Sequence, residues 1–156
     1  MNALAHALSD VTFRPMLEAD LDQVLSIERE VHDFPWSREI FRDCLRVGYS
    51  CRVLESEGTV NAYGMLQVAA GKSRLLNLCV RRRLHRRGLG RRLLALLIEV
   101  ARSHRTETVL LEVRPSNAAA RCLYRSMGFT RVGVSRGYYP ARTGREDAMI
   151  LALALS

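Results

Sequence analysis

The chain has 156 residues, of which 48% are hydrophobic, and a formal net charge of +8. That length suits one domain with a sizeable core, and the apolar share excludes a disordered chain. No apolar run approaches the ~20 residues of a membrane helix, and the first residues lack the pattern of a signal peptide. We therefore expect a cytoplasmic protein without a membrane partner. It should consist of a short extension over residues 1–10, whose order the sequence leaves open, and a single domain over residues 11–156.

The cysteines and histidines show no ligand-like spacing. The cysteines stand apart in apolar segments and form no C-x-x-C pair, and the histidines do not cluster. This usage predicts reduced, buried thiols, no disulfide framework and no metal. The cysteines are Cys44, Cys51, Cys79 and Cys122.

The first half of the chain predicts a strand, two helices and a hairpin. A short strand at residues 11–14 leads to a helix begun by Asp20, and Ser37 is a good N-cap for a second helix that closes near Gly48. Strands at about residues 50–55 and 60–69 follow, and Glu57-Gly58 between them is a hairpin signal. The buried side of the first helix should carry Leu21, Val24, Leu25 and Ile27.

The second half alternates strands and helices before ending in two strands. A strand at residues 75–80 precedes a helix at 89–102, and a strand at 108–113 precedes a helix at about 116–127. The run TVLLEV at 108–113 is typical of a strand covered on both faces. The last strands, 129–135 and 148–155, are separated by a loop rich in Tyr, Pro and Gly. These elements predict an α/β protein with a mixed sheet.

A basic turn joins the strand at 75–80 to its helix and is typical of an anion site. The first N–H groups of a helix lack internal partners and carry partial positive charge. Gly88 and Gly90 allow a phosphate to approach the backbone, and Arg86, Arg87 and Arg91 add charge. The spacing fits neither a Walker A loop nor a dinucleotide fingerprint. These residues alone leave a phosphate site and a solvated basic turn equally open.

Glu112 is a carboxylate inside an apolar strand, which is costly unless it has a partner or a task. One interpretation pairs it with Arg114, two residues on and on the same strand face. The other makes it a general base whose pKa partial desolvation would raise toward neutrality. Tyr124 by itself is more often a core tyrosine, and Asn117 by itself is a helix-start residue.

Taken together, these residues resemble a known family. The segment LEVRPSNAAARCLYRSMGF, residues 111–129, closely resembles a signature of the bacterial ribosomal-protein alanine N-acetyltransferases (the RimI type). These belong to the GCN5-related N-acetyltransferases, GNAT. The turn RRGLGR, the segments IERE and FPWS, and the tail GYYPARTGREDAMILAL are similar to the same family. The resemblance covers nearly the whole chain from Phe13 onward.

The resemblance implies a GNAT fold, with a central mixed, mostly antiparallel twisted sheet flanked by about four helices. It also implies acetyl transfer from acetyl-CoA, without a metal, to a protein N-terminus such as the alanine of ribosomal protein S18. Glu112 would be the catalytic base and Tyr124 the acid. Asn117 would contact the coenzyme, and the backbone of Leu78, Cys79 and Val80 would pair with its pantetheine arm. The pyrophosphate cradle would consist of Arg86, Arg87, Gly88, Leu89, Gly90 and Arg91.

Three aromatic residues and two departures from the family pattern keep alternatives open. Trp36, Tyr138 and Tyr139 are either the lining of a peptide entrance or ordinary core and loop aromatics. Gly71-Lys72 replaces an acidic pair, and His85 replaces a Gln or Arg. A small amine is therefore an alternative acceptor.

A basic protein that binds ribosomal RNA through residues 81–92 is a further alternative. Aromatic residues are sparse in that segment, which disfavours base stacking. Such a protein also has no need for Glu112, Asn117 and Tyr124. We therefore do not expect direct binding of nucleic acid.

Overall fold

The computed structural model describes residues 10–155, and its centre is a seven-stranded sheet. Apart from Asp10, the expected N-terminal extension lies outside the described residues. The strand order is β1-β2-β3-β4-β5-β7-β6. Strands β4 and β5 are parallel, and each of the other neighbouring pairs is antiparallel, so the predicted mixed sheet is confirmed. The strands are β1 Thr12–Pro15, β2 Ser50–Ser56, β3 Thr59–Gln67, β4 Gly71–Val80, β5 Thr106–Val113, β6 Thr130–Pro140 and β7 Arg145–Ala154.

Four α-helices in the described residues cover the two faces of this sheet, as predicted. Side chains of α1 and α2 share one buried cluster with β2 and β3, whereas α3 and α4 contribute to a second cluster on the other face. Among residues 10–155 no helix has the length and apolar content to cross a membrane. The helices are α1 Leu21–Val31, α2 Arg38–Arg46, α3 Leu89–Ser103 and α4 Ala118–Ser126.

A side chain of helix α3 packs directly over Gly64 of β3, in the middle of the sheet. A Cβ atom built on Gly64 would stand 2.5 Å from Cδ1 of Leu97, which is closer than real contacts allow. Leu93 and Leu97 of α3 are fully buried against the sheet. This packing fixes α3, and therefore the basic turn at its N-terminus, relative to β4.

Local signals in the first half of the chain are confirmed. The Ser37 hydroxyl accepts a hydrogen bond from the Ile40 N–H at the start of α2. Glu57 and Gly58, with φ of 52° and 80°, form the turn between β2 and β3. Both values lie in the left-handed region that suits a two-residue hairpin loop.

The last two strands are longer than expected. Strand β6 runs to Pro140 and β7 begins at Arg145, so most of the predicted loop is strand. Tyr139 pairs with Glu146 across this extension, after an irregular register near Ser135. The Pro and Gly that indicated a loop are tolerated because β6 is an edge strand with a bulge.

All four cysteines are free thiols, but only three are buried. Cys122 is exposed, so its predicted burial is wrong. It lies on the solvent side of α4, the helix whose buried side carries Tyr124.

Candidate active site

Strands β4 and β5 separate halfway along their length and open a cavity. Their parallel pairing runs from Gly71 opposite Thr106 to Leu75 opposite Leu111, and it ends there. Residues 76–78 of β4 and 112–113 of β5 line a cavity of ≈ 720 Å³. Among residues 10–155 no strand pairs with β4 on this side, so its backbone N–H and C=O groups are available to an extended ligand.

Predicted site residues from five parts of the chain line the cavity. Strand β4 provides Leu78 and β5 provides Glu112. Cys79 is buried on the opposite side of β4 from Leu78, in the cluster with α1 and α2. The other predicted site residues that line the cavity are Trp36, Asn117, Tyr124, Tyr138 and Tyr139.

Glu112 is paired with Arg74 and not with Arg114. The Nε of Arg74 donates to Oε2 of Glu112 at 3.0 Å, and Nη2 donates to Oε1. Arg74 stands opposite Leu110 in the register, so Glu112 lies one step further along the same strand face. The interpretation that paired Glu112 with Arg114 is therefore wrong.

Arg114 lies just after β5 and turns toward the end of β6. It donates to a carboxylate oxygen of Glu146 at 3.2 Å, and its guanidinium lies 4.3 Å from the ring centroid of Tyr139. The chain has left the strand at this point, so the alternation of side chains that predicted the pair with Glu112 no longer applies.

The face of β5 that carries Glu112 is only half-buried. Val109, Leu111 and Val113 are buried against α3 and α4, whereas Leu110 and Glu112 are partly exposed. The prediction of a strand covered on both faces is therefore wrong for this end of β5. The exposure arises because the face borders the cavity, which gives a solute access to the Glu112 carboxylate.

Tyr124 is both a core residue and part of the cavity wall. It is 8% exposed, and its ring packs edge-on against Phe129 with centroids 5.6 Å apart. Burial raises the pKa of the Tyr124 hydroxyl well above its ordinary value, so the proton is held at neutral pH. Within residues 10–155 no hydrogen bond engages this hydroxyl. It therefore remains free to donate to a ligand.

The N-terminus of α3 is open, as an anion site requires. Gly88 occupies the N-cap with φ of 82°, and no side chain in the described part of the chain caps the helix. The guanidinium groups of Arg86 and Arg87 are exposed beside it. Arg91 donates to the hydroxyl of Ser126 and so ties the first turn of α3 to the end of α4. Free backbone N–H groups with flanking arginines fit a pyrophosphate.

Some residues of the basic segment 81–92 contact other parts of the protein and not the open N-terminus of α3. The guanidinium of Arg81 donates to the carbonyl of Val60, and the backbone N–H of Arg82 donates to Glu30. His85 contacts the carbonyl of Val80 through Nε2 at 2.7 Å. These residues fasten the turn to the sheet and to α1, which leaves the later arginines to set the charge at the helix end.

Asn117 caps helix α4. Its side-chain oxygen accepts a hydrogen bond of 3.1 Å from the Ala120 N–H. The cap engages Oδ1 and leaves the Nδ2 donor without a partner in the described part of the chain. That donor is the group through which Asn117 could contact a coenzyme.

The predicted entrance aromatics all lie on the cavity wall. The Trp36 ring packs against Phe41 with centroids 5.3 Å apart, and Tyr138 and Tyr139 form an edge-on pair at 4.8 Å. Tyr138 is exposed, and burial raises the pKa of Tyr139 to about 12. The two tyrosines belong to strand β6, so the interpretation as loop aromatics is wrong for them.

Sequence reasoning missed Glu28, which is 2% exposed and borders the cavity. Its carboxylate accepts hydrogen bonds from the Tyr63 hydroxyl at 2.5 Å, the Asn77 amide at 3.0 Å and the Trp36 N–H at 2.9 Å. The signal was present, because Glu28 continues the helical spacing of Leu21 and Val24 on the buried side of α1.

Glu28 also lies near His32 and Cys79, and their ligand atoms are within 4.8 Å of one another. Such a group could hold a metal ion. However, both Glu28 oxygens already accept hydrogen bonds, and burial raises the pKa of the Cys79 thiol to about 12. A protonated thiol is a poor ligand, so we interpret the group as a buried hydrogen-bonded network.

Comparison with known proteins agrees with this geometry. The Acetyltransferase (GNAT) family matches residues 17–129. The chain belongs to the GNAT acetyltransferase family. It is therefore an acetyltransferase, and acetyl-CoA is its cosubstrate. The site fits that molecule in two ways, through the open strand edge of β4 and the uncapped N-terminus of α3.

The similar proteins match over almost their whole length. The [ribosomal protein bS18]-alanine N-acetyltransferase of Escherichia coli K12 is 39% identical over 93% of this chain and 98% of its own. The Salmonella typhimurium protein of the same name is 40% identical over 88% and 93%. The crystal structure of the Escherichia coli enzyme superposes with a TM-score of 0.86, at 39% identity and 94% coverage of both chains.

Proposed function

We propose that this enzyme acetylates the α-amine of a protein N-terminus, and that its substrate is the N-terminal alanine of ribosomal protein S18. The observation that carries the proposal is the cavity between the separated strands, which borders both Glu112 and Tyr124. A base and an acid on one cavity are what transfer from a thioester to an amine requires. The substrate is supported by the names of the relatives.

Three parts of the site would hold acetyl-CoA, which supplies a thioester as the acetyl donor. The backbone of Leu78, Cys79 and Val80 offers the free edge of β4 to the pantetheine amides. The amide nitrogen of Asn117 is a further donor. The pyrophosphate cradle would consist of Arg86, Arg87, Gly88, Leu89, Gly90 and Arg91.

Glu112 acts as the base in this proposal. An α-amine has a pKa of about 7.7–8.0, so roughly a tenth of it is neutral at pH 7. The Glu112 carboxylate therefore needs only to accept one proton, directly or through a water molecule. A lysine side chain, with a pKa of about 10.4, is much harder to deprotonate. A carboxylate base of this kind favours α-amines over lysines.

Tyr124 acts as the acid. A departing thiolate of pKa ~8.5 leaves more easily when it receives a proton. Because burial raises the pKa of Tyr124, its hydroxyl holds that proton across the neutral range until the thiolate takes it. Trp36, Tyr138 and Tyr139 would line the entrance for the peptide.

Gly71-Lys72, which replaces an acidic pair of the family pattern, lies away from the residues proposed to transfer protons. Gly71 begins β4 and pairs with Thr106 at the start of β5, whereas the cavity begins at Leu75. The replacement of an acidic pair by Gly-Lys therefore leaves the described cavity wall unchanged. Its expected effect is on the charge that an approaching acceptor meets.

The test is transfer from labelled acetyl-CoA to a synthetic peptide with the S18 N-terminal sequence. The matched control is the same peptide with its α-amine blocked and its lysines free. Transfer to the free peptide alone is the expected result. Equal labelling of both peptides would contradict α-amine selectivity. Labelling of neither peptide, with coenzyme binding intact, would contradict the proposed acceptor and direct the search to small amines.

A further inference from the structure

Glu112 is anchored by a residue that the GNAT resemblance did not single out. The Nε of Arg74 donates to Oε2 of Glu112 at 3.0 Å, and its Nη2 donates to Oε1. The same Nη2 donates to the Tyr138 hydroxyl at 3.2 Å. A two-point pair of this kind fixes the plane of the carboxylate as well as its position.

The position of Arg74 in the sheet places its contact with Glu112 where β4 and β5 separate. Arg74 stands opposite Leu110, on the last rung but one before β4 and β5 separate. Glu112 is the first residue of β5 beyond that separation. Beyond this point β5 lacks backbone hydrogen bonds to β4. The side-chain contact between Arg74 and Glu112 connects the two strands there instead.

We propose that Arg74 is a positioning residue, which holds the Glu112 carboxylate in a fixed place and orientation at the mouth of the strand separation. This inference rests on the proposed function. Glu112 and Tyr138 line the cavity, whereas Arg74 is not among the described residues of its wall. Arg74 therefore acts on the reaction through Glu112.

The surroundings of Glu112 leave Arg74 as the cation that contacts it in the described structure. Strand β6 presents Tyr138 and Tyr139, both phenols. Ile150 stands opposite Glu112 on β7. The neighbouring cation, Arg114, is occupied by Glu146. Removal of Arg74 therefore leaves the Glu112 carboxylate without the two donors that fix its plane.

The test compares Arg74→Met, Arg74→Lys, Glu112→Gln and the double variant with Arg74→Met and Glu112→Gln. Acetylation of a peptide with N-terminal alanine is measured from pH 6 to 10. We expect Arg74→Met to lower kcat about tenfold and to leave the KM for acetyl-CoA unchanged, because a misplaced base slows proton transfer without affecting coenzyme binding. Arg74→Lys keeps the positive charge but not the planar two-point contact, so its kcat should lie between those of the wild type and Arg74→Met.

The double variant decides whether Arg74 acts through Glu112. We expect its rate to equal that of Glu112→Gln, because a positioning residue has no effect once the base is absent. Arg42→Met is the matched control, since Arg42 forms an exposed ion pair with Glu18 away from the cavity. Losses that multiply in the double variant, or an unchanged kcat in Arg74→Met, would overturn the inference.

The same variants separate this inference from the proposed function. If the wild type fails to acetylate the peptide, the proposed acceptor is wrong. The four variants are then compared on a small primary amine, because the base serves any amine. If Glu112→Gln retains full activity, the base assignment fails, and the positioning role of Arg74 fails with it.

Discussion

Oε2 of Glu28 accepts a hydrogen bond of 2.9 Å from the backbone N–H of Trp36. This contact joins α1 to the segment between α1 and α2, which forms one wall of the cavity. The other oxygen accepts from Tyr63 on β3 and Asn77 on β4. One buried carboxylate therefore connects α1 to two strands and to the segment between α1 and α2.

Replacement of Glu28 should cost stability. Glu28→Ala leaves one buried and two partly buried donors without their acceptor, so we expect a loss of about 3 kcal/mol in the free energy of unfolding. Glu28→Gln keeps one acceptor oxygen and should cost about 1–2 kcal/mol. Urea denaturation measures both values. Glu39→Gln, on the exposed side of α2, is the control and should change stability by less than about 0.5 kcal/mol. A neutral Glu28→Ala would contradict this account.

Local sequence signals predicted the elements well where short-range physics decides them. The Ser37 cap, the turn at Glu57-Gly58 and the buried side of α1 depend on residues close in sequence. The Arg74–Glu112 pair joins residues 38 positions apart and depends on the register of β4 against β5. Periodicity carries no information on such a register.

Pairing between distant residues also explains why β6 and β7 are longer than the sequence predicted. Tyr138 and Tyr139 lie between residues that usually mark loops, yet pairing with β7 makes them part of β6. Of the candidate site, Glu112, Asn117 and Tyr124 could be named because they form a family signature. The helical spacing placed Glu28 on the buried side of α1, but it did not identify a role for Glu28, since a carboxylate at such a position has many structural explanations.

The rate of Glu112→Gln should depend on pH. The loss should be greatest near neutral pH, by about 100-fold, because most of the acceptor amine is then protonated and a base is needed. It should shrink above about pH 8, where the α-amine is neutral in solution. Steady-state kinetics from pH 6 to 10 measure this. Glu107→Gln, an exposed position on the same strand, is the control. A loss that is constant with pH would argue against a base.

Tyr124→Phe should lower kcat and preserve coenzyme affinity. The hydroxyl makes no hydrogen bond in the described structure, so its removal should leave the fold intact. We expect kcat to fall at least tenfold. Because burial raises the pKa of Tyr124 above the ordinary value of about 10, the hydroxyl keeps its proton and the loss should persist over the whole range from pH 6 to 10. Titration with acetyl-CoA provides the affinity, and Tyr49→Phe, outside the cavity, is the control. A loss of affinity alone would make Tyr124 a packing residue.

Gly88→Ala tests the open N-terminus of α3. Gly88 has φ of 82°, which an alanine adopts only with strain, so we expect a stability loss of about 1 kcal/mol. Relief of that strain would shift the first N–H groups of α3 away from their present directions. We therefore also expect the Kd for coenzyme A to rise about tenfold, as measured by calorimetry.

Gly48→Ala is a closely matched control for this variant. Gly48 has φ of 84°, and a Cβ atom there would meet no atom of residues 10–155 within 4 Å, as at Gly88. It follows α2 and lies outside the cavity wall. Both variants should therefore lose similar stability, because the strain is the same, while Gly48→Ala should bind coenzyme A like the wild type. If the two variants bound equally well, the N-terminus of α3 would not be the site that holds the pyrophosphate.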